Sequence, residues 1–380
     1  MKGRNYVNPI RTSVKLILMV AVWLFSVSWF GVIPVHAAPP SNDNFDNATI
    51  ISGVPYQASL STLEATPQDN EPLIDPQITA LCDGHTLESG LATVWYRFTS
   101  STTRSVSMDT MGSNYDTYIA VWTGPDVNNL TLVTCDDDSL GRQQSQVTFT
   151  ATAGVTYHIL VAQYNGEINV GSTSLKNGTD FGAQAGGDLQ FHVTTFEDVP
   201  GDHSAWTWIE RLYAAGITSG CSTNPMNYCP SMAVTRAQMA IFLERGIRGS
   251  TYTPPPAQGT IFADVSVSTP GAPWIEQLYA DGITGGCATN PLRYCPTNTV
   301  TRAQMAVFLL RSKHGAGYTP PPATGTVFND VTTSTPAAAW IEQLYAEGIT
   351  TGCGGGNYCP ASSVTRAQMA IFLVRTFNLP

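Results

Sequence analysis

One set of motifs recurs three times in the second half of this 380-residue chain. A Phe-x-Asp-Val stretch begins at Phe196, Phe262 and Phe328, and both intervals are 66 residues. The segment VTRAQMA also occurs three times, but its second interval is 64 residues because the loop CGGGNYC is two residues shorter than CSTNPMNYC and CATNPLRYC. A fixed period with one loop deletion indicates three copies of one supersecondary unit, and such units bury a core only by stacking.

Each unit predicts two helices. In the first, WIERLYAAGIT, Trp208 and Leu212 share one face, and Gly216 stands where a left-handed residue ends a helix. The second begins with Thr235 as N-cap and Gln238 three residues later, which is a capping box. The equivalent positions are Trp274, Trp340, Gly282, Gly348, Thr301 and Thr365. The stretches YTPPPAQGT and YTPPPATGT predict semi-rigid spacers between the units.

The N-terminal 38 residues predict a signal peptide. Four basic residues precede the apolar run of residues 16–33, and VHAAPP predicts cleavage after Ala37 or Ala38, with an uncleaved anchor as the alternative. Removal of the segment leaves 14 Lys+Arg against 28 Asp+Glu, a net charge of −14. Such a charge repels nucleic acid, so no nucleic-acid partner is expected, and the signal segment predicts a secreted protein.

The cysteines fit an oxidising compartment. Six of the eight form three close pairs, which predict local disulfides: Cys221 with Cys229, Cys287 with Cys295, and Cys353 with Cys359. Zinc is the alternative, but no histidine stands at finger spacing. By elimination, Cys82 and Cys135 are expected to bridge within the first domain.

Residues 41–195 follow a different rhythm. Segments such as VTYHILVA alternate, so Tyr157 and Ile159 point one way and His158 and Leu160 the other. Many short strands separated by Gly, Asn, Asp and Ser turns predict an antiparallel β-sandwich of jelly-roll type.

The motifs FEDV, WIERLYAAGITSG and TRAQ resemble the S-layer homology domain, in repeats at 196–248, 262–314 and 328–380. The resemblance implies an α-helical pseudo-threefold module that anchors a surface protein non-covalently to anionic cell-wall polysaccharide. Gln238, Gln304 and Gln368 replace the family's usual glutamate, which puts any ligand contact of that glutamate in doubt. The polysaccharide-binding residues that the motifs suggest are Arg236, Arg302, Arg366, Thr235, Thr301, Thr365, Asp198, Asp264 and Asp330.

NDNFDNATII, TVWYRFT, GSNYDTYIAVWTG and CDDDS resemble the bacterial pre-peptidase C-terminal domain over most of residues 41–195. The resemblance implies a non-catalytic β-sandwich, and some domains of this kind bind extracellular polymers. It leaves the ligand of the domain open.

An arginine at a helix start is opposed by the helix dipole, at a cost of roughly 0.3–1 kcal/mol. One explanation for Arg236, Arg302 and Arg366 is an anion bound at these helix starts. The other is an internal ion pair, such as Arg236 with Asp198 or Glu210. The loop aspartates could instead cap a turn.

The aromatic residues of the repeats also leave alternatives. Trp208, Trp274 and Trp340 favour core packing over stacking on sugar rings, because they lie on the apolar helix stripe. Tyr228, Tyr294 and Tyr358 each precede a cysteine, where they would line a groove or cover the disulfide.

In the first domain, Asp116, Asp136, Asp137 and Asp138 form a candidate calcium site, although an acidic turn is more often simply solvated. No nucleophile elbow, zinc-protease motif or phosphate loop is present. The sequence therefore predicts a non-catalytic cell-surface protein. The alternatives are a secreted adhesin that binds a polymer through the β-sandwich, and a hydrolase without a recognised motif.

Overall fold

The computed structural model describes residues 38–72, 91–139, 142–164, 186–223 and 225–380. Residues 1–37 of the predicted signal segment and Cys82 lie outside them. In the part of the chain that is described, no helix is both long and apolar enough to cross a membrane.

The first half of the described chain is β-rich, as its alternating pattern predicts. A 3-10 turn at Phe45–Asn47 precedes the strands. The described strands are β1 (Thr49–Ile51), β2 (Tyr56–Ser61), β3 (Leu91–Thr99), β4 (Arg104–Asp109), β5 (Thr117–Thr123), β6 (Thr131–Asp136), β7 (Gln146–Ala151), β8 (Thr156–Gln163) and β9 (Asp188–Thr194).

These strands form two sheets, in the orders β1-β3-β8-β5-β6 and β2-β9-β4-β7. The pairs are antiparallel except β1 with β3, which is parallel, with Thr49 opposite Tyr96. The predicted antiparallel sheets are therefore confirmed, with this pair as the exception among the described strands. Because β2 belongs to the other sheet, the chain crosses between sheets on its way from β1 to β3, and no tight hairpin forces the two strands to run antiparallel.

The alternation along β8 is confirmed. Tyr157, Ile159 and Val161 belong to a buried cluster to which both sheets contribute, whereas Leu160 belongs to a second cluster with Trp95. A core shared by two sheets is what a β-sandwich requires. The jelly-roll topology stays a prediction.

The repeats are helical, with capping boxes as predicted. The helices are α1 (Trp206–Ala214), α2 (Arg236–Arg248), α3 (Ala272–Ala280), α4 (Arg302–His314), α5 (Ala338–Ala346) and α6 (Arg366–Phe377). Thr235 accepts the backbone N–H of Gln238, whose side chain accepts that of Thr235, and both bonds recur in α4 and α6. Gly216, just after α1, has a φ of 69°, in the left-handed region.

The helices pack between repeats. α2 packs on α3 of the second repeat, α4 on α5 of the third, and α6 returns to α1 of the first. One apolar cluster runs through all three repeats and includes the fully buried Met239, Met305 and Met369. Each repeat thus completes its core with residues of its neighbours, as stacked units must.

The three predicted disulfides of the repeats are formed. In the first two loops the disulfide closes a two-stranded hairpin, which the sequence analysis did not foresee: β10 (Ser222–Thr223) with β11 (Met226–Asn227), and β12 (Ala288–Thr289) with β13 (Leu292–Arg293). In the shorter third loop a single bridge joins Gly354 to Asn357. Cys135 is also disulfide-bonded, and Cys82, the predicted partner, lies outside the described residues.

The β-rich part contacts the first repeat through a buried carboxylate. Asp109 on β4 binds Nδ1 of His192 at 3.0 Å and accepts the backbone N–H of Gly201. The His192 ring lies against Trp206 at the start of α1. A Cβ at position 201 would lie 2.0 Å from the His192 ring, so only glycine fits there. The predicted boundary at residue 195 is therefore a continuous packed junction.

A carboxyl group is buried where α2 packs on α3. Glu244 is fully buried and lies 3.1 Å from Nε of Arg248, which also pairs with Asp281. Desolvation, followed by repulsion from Asp281, raises the pKa of Glu244 to about 7. The equivalent residues of the other repeats are apolar, Leu310 and Val374.

Glu244→Leu, which copies the second repeat, should flatten the pH dependence of stability. Because the pKa of Glu244 is higher in the folded chain than in the unfolded chain, the folded chain binds this proton more tightly. The free energy of unfolding therefore falls as pH rises from about 4.5 through 7, by up to about 3 kcal/mol from this group. Urea denaturation of both proteins between pH 5 and 8 measures the difference. Parallel curves for the two would contradict the assignment.

Candidate functional site

The three arginines that open the TRAQ helices are buried between repeats. Arg236, Arg302 and Arg366 are only 4%, 2% and 4% exposed. Each is the first residue of its helix, so its Cα is fixed by the capping box described above. Their side chains reach a tyrosine of a neighbouring repeat, and these ring tyrosines are Tyr228, Tyr294 and Tyr358.

The arginines and the ring tyrosines exchange two hydrogen bonds at each contact. Nε of Arg236 donates to the carbonyl of Tyr294 at 2.6 Å, and the Tyr294 hydroxyl donates back to the carbonyl of Arg236 at 2.7 Å. Arg302 makes the same exchange with Tyr358, and Arg366 makes it with Tyr228. The first repeat thus binds the second, the second binds the third, and the third binds the first.

The guanidinium groups also lie over the tyrosine rings. The Cζ atoms of Arg236, Arg302 and Arg366 are 4.7, 4.7 and 4.6 Å from the ring centroids. This cation–π contact and the carbonyl partner offset part of the cost of burying the charge. Burial lowers the pKa of all three arginines, while the tyrosine and a loop aspartate of the neighbouring repeat act in the opposite direction.

The loop aspartates hold the backbone of the ring tyrosines. The carboxylate of Asp198 accepts the N–H groups of Tyr228 and Cys229, each at 2.7 Å. Cys229 has a φ of 58°, so the two bonds stabilise a left-handed turn at the disulfide. Asp264 and Asp330 do the same in the other repeats. The turn-capping interpretation is confirmed.

The internal ion pair suggested for Arg236 is not formed among the described residues. Asp198 is engaged in its own loop, and Glu210 accepts the backbone N–H of Thr195. The equivalent glutamates, Glu276 and Glu342, likewise accept backbone N–H groups of the segments that lead into their repeats. The expectation is wrong because these carboxylates satisfy backbone donors, and a carbonyl and an aromatic ring receive the arginine instead.

A surface groove runs past one of the three contacts, with a cavity volume of about 480 Å³. Its wall includes Cys221, Cys229, Asn227, Met232, Gln238 and Arg366. In the described structure, Nη2 of Arg366 is buried without a hydrogen-bond partner, as is Nη2 of Arg236 and of Arg302. Each arginine therefore retains donor capacity after its contact with the tyrosine is made.

The tryptophans support the helices. Trp208, Trp274 and Trp340 are half-buried and pack against the common apolar cluster, so the core-packing interpretation is confirmed. A second set of arginines covers them from the preceding repeat in the cycle: Arg375 over Trp208, Arg245 over Trp274 and Arg311 over Trp340. The ring tyrosines are fully buried, so they do not line a groove with their side chains.

The acidic residues proposed for calcium lie near one another. Desolvation and the charges of Asp138 and Asp137 raise the pKa of Asp116 to about 6. Asp136 accepts the Ser139 hydroxyl and the backbone N–H of Gln146. Among the described residues, two other groups bring their potential metal-ligand atoms close together. They are Asp198 with Cys221 and Cys229, and Asp264 with Cys287 and Cys295. Their sulfurs are in disulfides, which removes the thiolates that a metal needs. Calcium binding stays a prediction.

The tyrosine partners of the arginines were missed by sequence reasoning. The two residues are 58, 56 or 138 positions apart, so local patterns do not join them. The signal available in the sequence was that the arginines and the tyrosines recur at the same intervals. Met232 was missed as well, because one exposed methionine in a loop has no pattern.

The sequence model of the S-layer homology domain matches residues 195–240 and 327–370, in the first and third repeats. An endoglucanase of Bacillus sp. (strain KSM-635) is 35% identical over 118 residues. That stretch is 31% of this chain and 12% of the endoglucanase, so the chain spans a small part of that relative's length.

Three solved structures are similar to 39% of the chain each. The pre-peptidase C-terminal domain of a Bacillus anthracis collagenase has a TM-score of 0.21 at 13% identity over 92% of its length. CorA, a surface-associated copper-binding protein of Methylomicrobium album BG8, has 0.25 at 13% over 97%. PliG of Aeromonas hydrophila, a periplasmic inhibitor of g-type lysozyme, has 0.21 at 12% over 94%. Likeness at these TM-scores identifies neither the fold nor the function of the matching region.

The exchange between Arg236 and Tyr294 should couple the stability of the first two repeats. We expect Tyr294→Phe to lower the free energy of unfolding by about 1 kcal/mol, because one buried hydrogen bond is lost. Arg236→Met keeps most of the aliphatic stem and should cost about 1–3 kcal/mol, because the Tyr294 carbonyl loses its donor. The double variant should cost less than the sum. Urea denaturation measures all three, and strictly additive values would show that the two residues act independently.

Proposed function

We propose that this protein, which contains S-layer homology domains, is held non-covalently at the cell surface by anionic cell-wall polysaccharide bound beside the helix-start arginines. The three repeats would act as one pseudo-threefold module. The β-rich region would be displayed by that module and has no catalytic role in this proposal.

The observation that carries the proposal is a buried guanidinium with unused donor capacity at the wall of a groove. Arg366 lines the groove, and its Nη2 is without a partner in the described structure. The N–H groups of the first turn of this helix are already bonded, for example that of Arg366 to the Met232 carbonyl and that of Gln368 to Thr365, so the helix adds only the positive end of its dipole. The carboxylate of an acidic sugar would accept hydrogen bonds from the Arg366 guanidinium and offset its positive charge.

The overall charge makes such a local site necessary. Without the predicted signal segment the chain carries a net charge of −14, so its long-range field repels a polyanion. Binding would therefore depend on short-range contacts inside the groove. Salt should then weaken binding only moderately, since screening also reduces the general repulsion.

Gln238 supports the same ligand chemistry. Its Oε1 accepts the Thr235 N–H to complete the capping box, and the residue lies on the groove wall. A glutamate there would place a negative charge beside the proposed anion, whereas the glutamine amide retains N–H donors. The departure from the family motif thus preserves the helix cap and favours an acidic ligand.

Three related contacts would increase the affinity for a repeating polymer. The arginine–tyrosine exchange recurs three times, so up to three sugars of one chain could be bound. Linking weak sites raises the apparent affinity by about 10²–10⁴ when the spacing allows simultaneous binding.

Sedimentation of residues 38–380 with purified sacculi tests the proposal. We expect the triple variant Arg236→Gln, Arg302→Gln, Arg366→Gln to lose at least about tenfold in affinity, because a charge-assisted hydrogen bond of about 1.5–3 kcal/mol disappears from each groove. Sacculi stripped of their secondary polymer should fail to bind the wild-type protein.

The matched control is the triple variant Tyr228→Phe, Tyr294→Phe, Tyr358→Phe. It weakens the same contacts between repeats but leaves every guanidinium in place. At a temperature where both variants are folded by circular dichroism, only the arginine variant should detach. Equal loss in both would assign the arginines a structural role alone. Retention through the β-rich region in the absence of groove binding would favour the adhesin alternative.

A further inference from the structure

The groove beside Arg366 has counterparts at the other two arginine–tyrosine contacts by correspondence of residues, and the three places differ in one wall residue. The loop after each disulfide has Met232 in the first repeat, Asn298 in the second and Ser362 in the third. The backbone carbonyl of this residue accepts the N–H of the helix-start arginine in each case: Met232 from Arg366, Asn298 from Arg236, and Ser362 from Arg302, at 2.8, 2.8 and 2.9 Å. The carbonyl bond fixes this residue at all three contacts, so its side chain is free to differ.

Met232 is an unusual choice for this position. Its side chain is 56% exposed, although methionine is normally buried in a core. It belongs to the groove wall and not to the apolar cluster of the repeats. Folding therefore gives little reason for a methionine here.

Met232 gives the first groove two chemically different sides. The thioether and the Cys221–Cys229 disulfide provide a polarisable apolar surface. Arg366, Asn227 and Gln238 provide hydrogen-bond donors and the positive charge. A ligand that fills such a groove needs an anion together with an apolar face. A pyranose uronic acid has both, because the C–H groups on one side of its ring form an apolar face.

The residues of the second repeat that correspond to the groove wall of the first predict a more polar surface. Asn298 replaces the methionine, and the exposed Arg293 stands at the position of Asn227. That groove is more polar and more positive than the first. The same polymer would therefore meet walls of different chemistry along the cycle of repeats.

We propose that Met232 makes the first groove selective for the ring face of a uronic acid sugar, beyond the attraction of Arg366 for its carboxylate. The inference rests on the proposed anchoring function and names one groove and one contact within it. In the other two grooves the side chains of Asn298 and Ser362 offer hydrogen bonds to hydroxyl groups and no apolar contact.

Two anionic probes separate the ring contact from charge. A β-1,4-linked glucuronan oligosaccharide carries carboxylates on sugar rings, whereas poly(glycerol phosphate) carries a repeating charge without rings. With residues 38–380 in isothermal titration, we expect Met232→Ser, which copies the third repeat, to weaken glucuronan binding about 3- to 10-fold. Its binding of poly(glycerol phosphate) should not change. Ser362→Met should strengthen glucuronan binding, because it supplies the apolar wall to the third groove.

The outcomes distinguish this inference from the anchoring proposal. Because Met232 is exposed, Met232→Ser should fold like the wild type, and its melting curve checks this. Unchanged glucuronan affinity in Met232→Ser, with a loss in Arg366→Gln, would overturn the ring contact and leave anchoring supported. An equal loss for both probes would show that Met232 acts without regard to rings, and would also overturn it. A wild-type protein that binds neither probe would end the uronic acid assignment, while the sacculus experiment would decide anchoring independently.

Discussion

The repeat module depends on one exchange between a buried arginine and a tyrosine of the neighbouring repeat. Nε of each arginine donates to a tyrosine carbonyl, and each tyrosine hydroxyl donates to the arginine carbonyl. Both partners sit at structural endpoints, the arginine at a helix start and the tyrosine beside a disulfide. One contact therefore fixes a helix of one repeat against the cysteine loop of the next. A single repeat alone would leave its arginine and its tyrosine without these partners.

At the rim of the contacts between repeats, the third contact uses different partners from the first two. Between the first and second repeats Arg248 pairs with Asp281, and between the second and third Lys313 and His314 pair with Glu347. Between the third and the first, Arg211 donates instead to the carbonyls of residues 379 and 380. A carboxylate partner can be replaced by backbone carbonyls at these contacts because the charged side chains are partly exposed and also solvated by water.

Local features of the repeats could be predicted from sequence because their causes lie within a few residues. The Thr235 cap and the left-handed Gly216 follow from side-chain chemistry and backbone sterics. The parallel pairing of β1 with β3 and the partners of the arginines could not be predicted. Both depend on where distant segments of the chain meet. An acidic partner was the natural expectation for Arg236, because a buried cation needs a counter-charge or acceptor and the sequence does not show that Tyr294 supplies it. The exposure of Met232 in a groove wall could not be predicted either, because it depends on the fold around it.

Two features of the arginine contacts explain why a cation is tolerated at each of these helix starts. The carbonyl and the ring of the tyrosine offset the dipole and part of the desolvation, so the arginine is tolerable in the folded state. They do not use all of its donors, since Nη2 is left over in each copy within the described structure. A lysine would lack the planar fork that reaches the carbonyl through Nε and still presents nitrogens elsewhere. In the proposed function, arginine is the residue that can join two repeats and still offer hydrogen bonds to an acidic sugar, which would account for its presence in every repeat.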